Sequence, residues 1–470
     1  MTWLFVALGS TGDALPLVEI AADAVRAPSN FQLAGHTENK ALRIFSHDEV
    51  FKEKIESPSQ SVVLVSKGIK SVLEELLRPA WGQDWSIALV EDMYTPVIET
   101  GGDARPRTQR AQALDFIVNL IDEWDIDIVL ANFYSAFAIH AAEFKNLRFV
   151  ILSPSVPPQG AVQSSRKRME RLLDKFPQWK RCIENTGCLV SQVSYWMGNL
   201  ISQDYLEYRK SKAMSSLPLA EYSYKIPIFV GVSHQFSLVD AGFPKNVHFC
   251  GPWKPVIKRW RTESMRMIEQ ELFKRLRTNH STIFVTFGSM GTLKFAPTIE
   301  PDIMIPAGRN LAQTLLDALK SSGSETTIII HQPQGEHALY ECMDVGDGIK
   351  FYKALPHDST VAAGHDTESK LWLLTGLVLH STILPFCSVI VHHGGAGTVM
   401  TSLYFCKPQI VLPFAYDQEQ WGLAVQEAGI GMIASVSDPT SVVSALVHVL
   451  KNYDAYRIKC AKLRSQLDWV

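Results

Sequence analysis

The chain has 470 residues, 46% hydrophobic and 20% charged, with a formal net charge of −3. That length exceeds one core and calls for two or three domains, and the near-balanced charge gives no general case for a nucleic-acid partner. Seven cysteines without a CxxC pair argue against a zinc site or a disulfide framework and fit a reducing, cytosolic setting.

No basic segment precedes the first apolar residues, so no secretory signal is expected. Trp3 to Leu8 predicts a first buried strand, a turn follows at Gly9 to Asp13, and a helix opens with Pro16 near its start. Further strands are predicted at Phe31–Ala34, Ile126–Ala131 and Arg148–Leu152, with a helix-like FYSAFAIHAAEF between the last two. This alternation indicates βαβ units around a parallel sheet. From Gln163 to Leu217 the pattern turns helical, and short strands resume at Ile226–Val230 and Val247–Cys250.

Gly251-Pro252-Trp253 and Pro255 punctuate the chain, and a linker is expected over 254–280. A second βαβ series follows, with strands at Thr282–Phe287, Thr326–His331, Ile349–Tyr352, Val389–Val391 and Gln409–Pro413. Helices are predicted at Arg309–Lys320, Gln418–Ala428 and, as one run, Ser441–Leu467. The expected class is α/β: a doubly wound domain over 1–253, another over 281–455, and a C-terminal helix over 456–470 that crosses back to the first domain. The two halves are expected to face a cleft, with ligands at the carboxyl ends of the strands. Leu371 to Val391 is apolar enough to raise a membrane span. His380, Ser381, Thr382, Pro385 and Ser388 interrupt it, and no span is expected.

Three loops stand in ligand-binding positions. In the first, Asp13 is either a first-turn helix residue favoured by the dipole or a general base. Ser10 and Thr11 cap the same helix or touch a ligand. In the second, Gly288 and Ser289 offer a backbone N–H and a hydroxyl, or form an ordinary turn. The third, His392-His393-Gly394-Gly395-Ala396-Gly397-Thr398, joins a strand to a helix. Glycine lets backbone amides approach a ligand, and a helix N-terminus favours an anion such as a diphosphate. The plain alternative is a tight turn with two packed histidines. Downstream, Asp417-Gln418 offer acceptors and donors suited to vicinal hydroxyls, or cap the next helix. No Gly-x-Gly-x-x-Gly and no Walker lysine appear, which disfavours a dehydrogenase and a P-loop ATPase.

In combination and in order, GSTGDALP (Gly9 to Pro16), FVTFGSM (Phe284 to Met290), HHGGAGT (His392 to Thr398) and PFAYDQ (Pro413 to Gln418) resemble the signatures of nucleotide-sugar glycosyltransferases. The branch most resembled is that of sterol and glycopeptide-antibiotic glycosyltransferases, with lesser echoes in GHTEN, FAIHAAE and GPW. The resemblance implies a GT-B fold, no metal requirement, no cofactor beyond the nucleotide sugar, and inversion at the anomeric carbon. It makes Asp13 the base that deprotonates an acceptor hydroxyl. It assigns His393 to the donor diphosphate, with Gly395, Ala396, Gly397 and Thr398 forming the phosphate-binding turn. Ser10, Thr11, Gly12 and Ser289 become further donor contacts, and Asp417 and Gln418 hold the sugar hydroxyls. The donor expected is UDP-glucose, and the acceptor a lipophilic small molecule such as a sterol, terpenoid, polyketide or phenolic.

One departure stands near the donor loops. The family places Pro-His-Asp shortly before Leu-x-Pro, whereas Leu355-Pro356-His357-Asp358 lies far from Leu384-Pro385 here. Omitting 359–380 restores the spacing. The segment is an insertion, either a surface excursion or a retained intron, and its LWLLTGLVL is a liability in a solvated position. On the acceptor side, Arg166 to Arg181 is a basic amphipathic stretch that roofs a pocket or docks transiently on an anionic membrane. Leu189, Val193, Trp196, Met197 and Leu200 continue an apolar stripe. Two other functions share this architecture: a nucleotide-sugar epimerase and an inactive nucleotide-sugar binder.

Overall fold

In a computed structural model of the chain, the residues described are chiefly 3–7, 42–45, 61–65, 88–89, 107–154, 203–214, 226–233 and 246–255, then 281–288, 326–332, 340–346, 349–354, 371–375, 379–413, 418–435 and 438–469. The chain divides into two compact units, Met1–Trp253 with Trp469–Val470, and Lys254–Asp468. The predicted strand at Phe31–Ala34, the helix at Arg309–Lys320 and the acceptor-side stretches at 166–181 and 189–200 lie outside the described residues.

The first unit is built on a parallel sheet. Its strands are β1 (Trp3–Ala7), β2 (Leu42–Phe45), β3 (Ser61–Val65), β4 (Ala88–Leu89), β5 (Ile128–Ala131), β6 (Arg148–Ser153), β7 (Ile228–Val230) and β8 (Val247–Phe249). They run in the order β2-β3-β1-β5-β6-β7-β8, with β4 beside β3. Leu4, Phe5 and Val6 are buried without alternation, as a central parallel strand covered on both faces requires. Among the described residues three helices accompany the sheet: α1 (Arg107–Glu123), α2 (Ile139–Phe144) after a 3-10 turn at Phe133–Ala138, and α3 (Gln203–Ser211). Asn146, at φ 55°, ends α2: its N–H reaches Glu143 O (3.0 Å) while that of Leu147 reaches Ala142 O (2.8 Å). Asparagine tolerates this left-handed position better than most side chains. Where β1 ends, the Asn132 N–H donates to Val6 O at 3.3 Å and the Ser135 hydroxyl donates to the same carbonyl, pinning the exit of β1 to that of β5.

The second unit holds β9 (Ser281–Thr286), β10 (Thr326–Gln332), β11 (Tyr340–Gly346), β12 (Ile349–Ala354), β13 (Leu371–Thr375), β14 (Val389–His392), β15 (Gln409–Val411) and β16 (Gly431–Ile433). The order is β11-β12-β13-β10-β9-β14-β15-β16. From β13 to β16 all pairs are parallel, while β11, β12 and β13 pair antiparallel. This is the doubly wound arrangement, with its reversal of winding between β9 and β14. Alternate residues feed two cores. Ile283, Val285, Ile330 and Val391 pack with Val442, Leu446 and Val449, whereas Phe284, Ile329 and Ile390 pack with Leu374, Ile383 and Leu384.

Two expectations need correction. The segment read as an insertion, either a surface excursion or a retained intron, is not at the surface of its sheet: it contributes β13, seated between β12 and β10 with Ile328 opposite Leu371 and Gln332 opposite Thr375. An internal position satisfies the backbone of LWLLT on both sides, and Leu374 is fully buried. The apolar run from 371 to 391 divides into β13, α4 (His380–Ile383), a 3-10 turn at Leu384–Phe386 and β14. No helix among the described residues is long and apolar enough to cross a membrane. The single helix predicted at Ser441–Leu467 is two, α7 (Pro439–Lys451) and α8 (Tyr453–Gln466). Asn452 breaks it, with φ −112° and its amide donating to His448 O at 2.8 Å. Asp438 caps α7 by accepting from the Thr440 N–H at 3.0 Å, with Pro439 in the first turn.

Candidate functional site

The carboxyl ends of β10, β9 and β14 meet in one row, in which His331 is opposite Thr286 and Thr286 is opposite His392. The chain leaves β14 through His393, Gly394 and Gly395 and enters α5 (Ala396–Tyr404). This corner therefore sits where the winding of the sheet reverses, the place at which open α/β sheets bind ligands.

Glycine is required at each bend of the corner. Gly394 has φ +95°, and a Cβ there would lie 2.8 Å from both Gln418 O and Val411 Cγ1. A Cβ on Gly395 would lie 2.5 Å from His393 Nε2. Gly288, after β9, has φ +58°, and a Cβ on it would meet His393 Cε1 at 3.1 Å. The His393 imidazole is thus held between the exit of β9 and the first turn of α5. It is 5% exposed.

Behind it, His392 ties the corner together. The Gly394 N–H donates to its Nδ1 at 3.0 Å, so the ring proton is on Nε2, which donates to Gln409 Oε1 at 2.9 Å. Gln409 in turn donates from Nε2 to Val399 O at 3.3 Å. One buried relay joins β14, β15 and α5. Burial holds His392 and His393 neutral, each pushed down to about 3. For His392 the bond to Gln409 opposes this; for His393 its neighbour His392 adds to it and a bond to the Thr286 backbone opposes it.

Gly395 takes the N-cap position of α5 in extended conformation, and its carbonyl accepts from the Thr398 and Val399 amides at 3.0 Å each. The amides of Ala396 and Gly397 are among those that α-helix geometry leaves without an intrahelical acceptor. Together with the dipole they favour an anion in the corner. Behind this turn, α8 packs against α5, and the Arg464 guanidinium lies 4.6 Å over the Tyr404 ring.

Of the residues singled out from sequence, His393, Gly395, Ala396, Gly397, Thr398 and Gln418 gather at this corner, Gln418 opening α6 (Gln418–Glu427) with 3% exposure. Ser10, Thr11, Gly12, Asp13, Ser289 and Asp417 lie outside the described residues. Sequence reading missed the parts played by His331, His380, Thr286 and Gln409. His392 and Gly394 were visible in the motif, but their roles as brace and pivot were not. His331 and His380 belong to no motif; only the strand order brings them near the glycine turn.

Comparison with known proteins agrees with this architecture. The family model described as erythromycin biosynthesis protein CIII-like, C-terminal domain, matches residues 373–468. The UDP-sugar-dependent glycosyltransferase 52 of Dictyostelium discoideum is 33% identical over 33% of this chain and 10% of its own length. A sterol 3-beta-glucosyltransferase of Arabidopsis thaliana is 46% identical over 11% of this chain and 8% of that protein. The chain thus spans a tenth or less of the length of these two relatives. Among solved structures, the glycotransferase of kitacinnamycin superposes over 99% of this chain and 94% of its own at a TM-score of 0.56 and 13% identity. Spinosyn rhamnosyltransferase SpnG, complexed with thymidine diphosphate, superposes over 100% and 97% at 0.52 and 13%. At such identities these two show the fold, GT-B with two parallel-sheet α/β domains.

Proposed function

We propose, for a chain that belongs to the UDP-glycosyltransferase superfamily, that it transfers a hexose from a nucleoside diphosphate sugar to a hydroxyl of an apolar small molecule, with inversion at the anomeric carbon. The observation that carries this reading is the glycine corner: Gly288, left-handed after β9, and Gly395, at the N-cap of α5, hold His393 between them, while left-handed Gly394 makes the bend into the opening turn of α5. That turn supplies backbone donors and a positive dipole end for the charge that develops on a departing diphosphate.

In the reaction proposed, the acceptor oxygen forms a bond to the sugar C1 as the C1–O bond to the diphosphate breaks. Asp13 takes the acceptor's proton. The diphosphate leaves into the turn of Gly395, Ala396, Gly397 and Thr398, and the His393 imidazole turns its one N–H from the Thr286 backbone to the departing oxygen. Ser10, Thr11, Gly12 and Ser289 complete the donor contacts, and Asp417 and Gln418 fix the sugar by its hydroxyls. No cofactor besides the nucleotide sugar takes part. UDP-glucose is the first donor to try, because the Dictyostelium relative is named as UDP-sugar-dependent and the Arabidopsis one as a glucosyltransferase. The thymidine diphosphate on the rhamnosyltransferase makes a thymidine-linked deoxysugar the second. The acceptor class rests on the sterol relative and on the apolar stretch 189–200.

The test is incubation with labelled UDP-glucose or a thymidine-linked sugar and a panel of sterol, polyketide and phenolic acceptors. A glycoside of inverted configuration supports the proposal. An epimerised donor, or binding without turnover, overturns it in favour of an isomerase or a binder. Asp13→Asn is expected to keep donor binding by calorimetry and to lose at least ~10²-fold in transfer rate; undiminished turnover would remove the base assignment. His393→Ala removes a donor to a charged group and should weaken donor binding by roughly 10- to 100-fold. Unaltered donor KM and kcat would count against its role.

A further inference from the structure

His380 is the last residue of the segment that departs from the family spacing, yet it is built into the corner. Its Nδ1 is 3.4 Å from Thr398 Oγ1, and Thr398 is in the first turn of α5. Its ring stands edge-on to His331, with centroids 6.1 Å apart at 87°. Phe284 orients both rings, stacked with His331 at 6.0 Å and edge-on to His380 at 5.8 Å. His331 Nδ1 is 3.2 Å from Thr286 Oγ1, which accepts from the Gly288 N–H at 3.1 Å. Each of these histidines thus holds one threonine hydroxyl, Thr286 at the end of β9 and Thr398 in the first turn of α5.

A threonine hydroxyl has one proton and two lone pairs. An anion at the N-terminus of α5 accepts hydrogen bonds and offers none. Thr398 can donate to it only if its neighbour leaves the hydroxyl proton alone. A neutral imidazole with its proton on Nδ1 meets that condition, since it donates to the hydroxyl oxygen and leaves the O–H for the anion. Burial, aided by the nearby His331 and His393, keeps the His380 ring neutral.

We propose that His380 is a positioning residue of the nucleotide-diphosphate site: its Nδ1–H holds Thr398 Oγ1 and turns the Thr398 hydroxyl proton toward the bound anion. The extra segment is then a working part of the donor half. This rests on the donor-site reading above, and the experiment separates the two.

The probes are UDP and thymidine diphosphate, titrated by calorimetry into the full chain, with the melting temperature recorded for each variant. His380→Phe keeps the aromatic volume beside Phe284 and loses the δ nitrogen. It should weaken binding by about fivefold, the effect of one hydrogen bond. His380→Asn returns a δ-position N–H donor and should restore binding to within about twofold. Thr398→Val should cost about as much as His380→Phe, and the double variant no more than either alone, because both act through one bond. If His380→Phe does not fold, His380→Ala takes its place in the cycle with the same expected loss. A lower melting temperature with unchanged affinity, or additive losses in the double variant, overturns the proposal. So does failure of His380→Asn to recover. If the unmodified chain binds neither diphosphate, the donor-site reading falls, and this proposal with it. Tight binding by the unmodified chain that His380→Phe matches overturns this proposal alone.

Discussion

Each unit buries a polar cluster, and the two are built on opposite logic. In the first, the Arg209 side chain is 1% exposed and lies 2.6 Å and 2.9 Å from the two oxygens of Glu143, with His140 Nδ1 at 3.3 Å from the same guanidinium. Tyr205 stacks on His140 and Phe137, at 5.0 Å and 5.8 Å. The charge is answered inside the protein, and the cluster fastens α3 to α2. In the second unit the buried groups are neutral imidazoles, hydroxyls and backbone amides, gathered where glycines keep Cβ atoms out. Burial of polar groups marks no site by itself. A set of donors around an opened backbone, with a helix dipole behind it, suits an anion, and that is the role proposed for the second cluster.

The largest effect expected tests the first cluster. Arg209→Ala leaves Glu143 without its partner and should cost about 3–5 kcal/mol of stability in denaturant unfolding. UDP affinity should stay the same. Loss of UDP affinity at full stability would erase the distinction between the clusters. Next comes the pivot of the second. Gly394→Ala forces a Cβ into Gln418 O and Val411 at 2.8 Å in a left-handed conformation. It should cost about 1–3 kcal/mol and reduce UDP affinity out of proportion to stability. A purely structural loss would show the corner to be only a turn.

The third test is set by pH, and near neutrality its effect is the smallest of the three. His380, His392 and His393 are each pushed down to about 3, chiefly by burial. Above pH 6.5 their rings are neutral in both folded and unfolded chains, and pH has no effect through them. Below 6.5 the unfolded chain takes up protons that the folded one refuses until about pH 3. Stability therefore falls across that window, by about 1.4 kcal/mol per pH unit for each independent ring and less for coupled neighbours. Hydrogen exchange resolved by segment should show residues 391–411 losing protection before residues 128–153. Simultaneous loss would remove the contrast.

Much of the frame was legible. Parallel strands buried on both faces read as short apolar runs, and β1, β5, β6, β9, β10 and β14 announce themselves in this way. The amphipathic run after Asp438 was equally plain, but its joint at Asn452 was not, because helical periodicity continues through it. The edge strand β11 and the internal β13 were obscured for another reason. LWLLT reads alike as strand, buried helix or membrane segment until its neighbours are known. At the corner, HHGGAGT showed a strand-to-helix turn, while nothing local could tell that His392 faces inward to Gln409 and His393 sits against Gly288.

By itself the sequence determined which stretches are buried strands and where a glycine turn opens a helix, since periodicity and backbone freedom are properties of a few adjacent residues. Only the tertiary structure decided which side chains share that turn. His331, Thr286, His392 and Gln409 come from four strands, and His380 from a helix preceding β14; strand order and register bring them together. Those are set by packing across the whole sheet, which no local pattern of residues encodes.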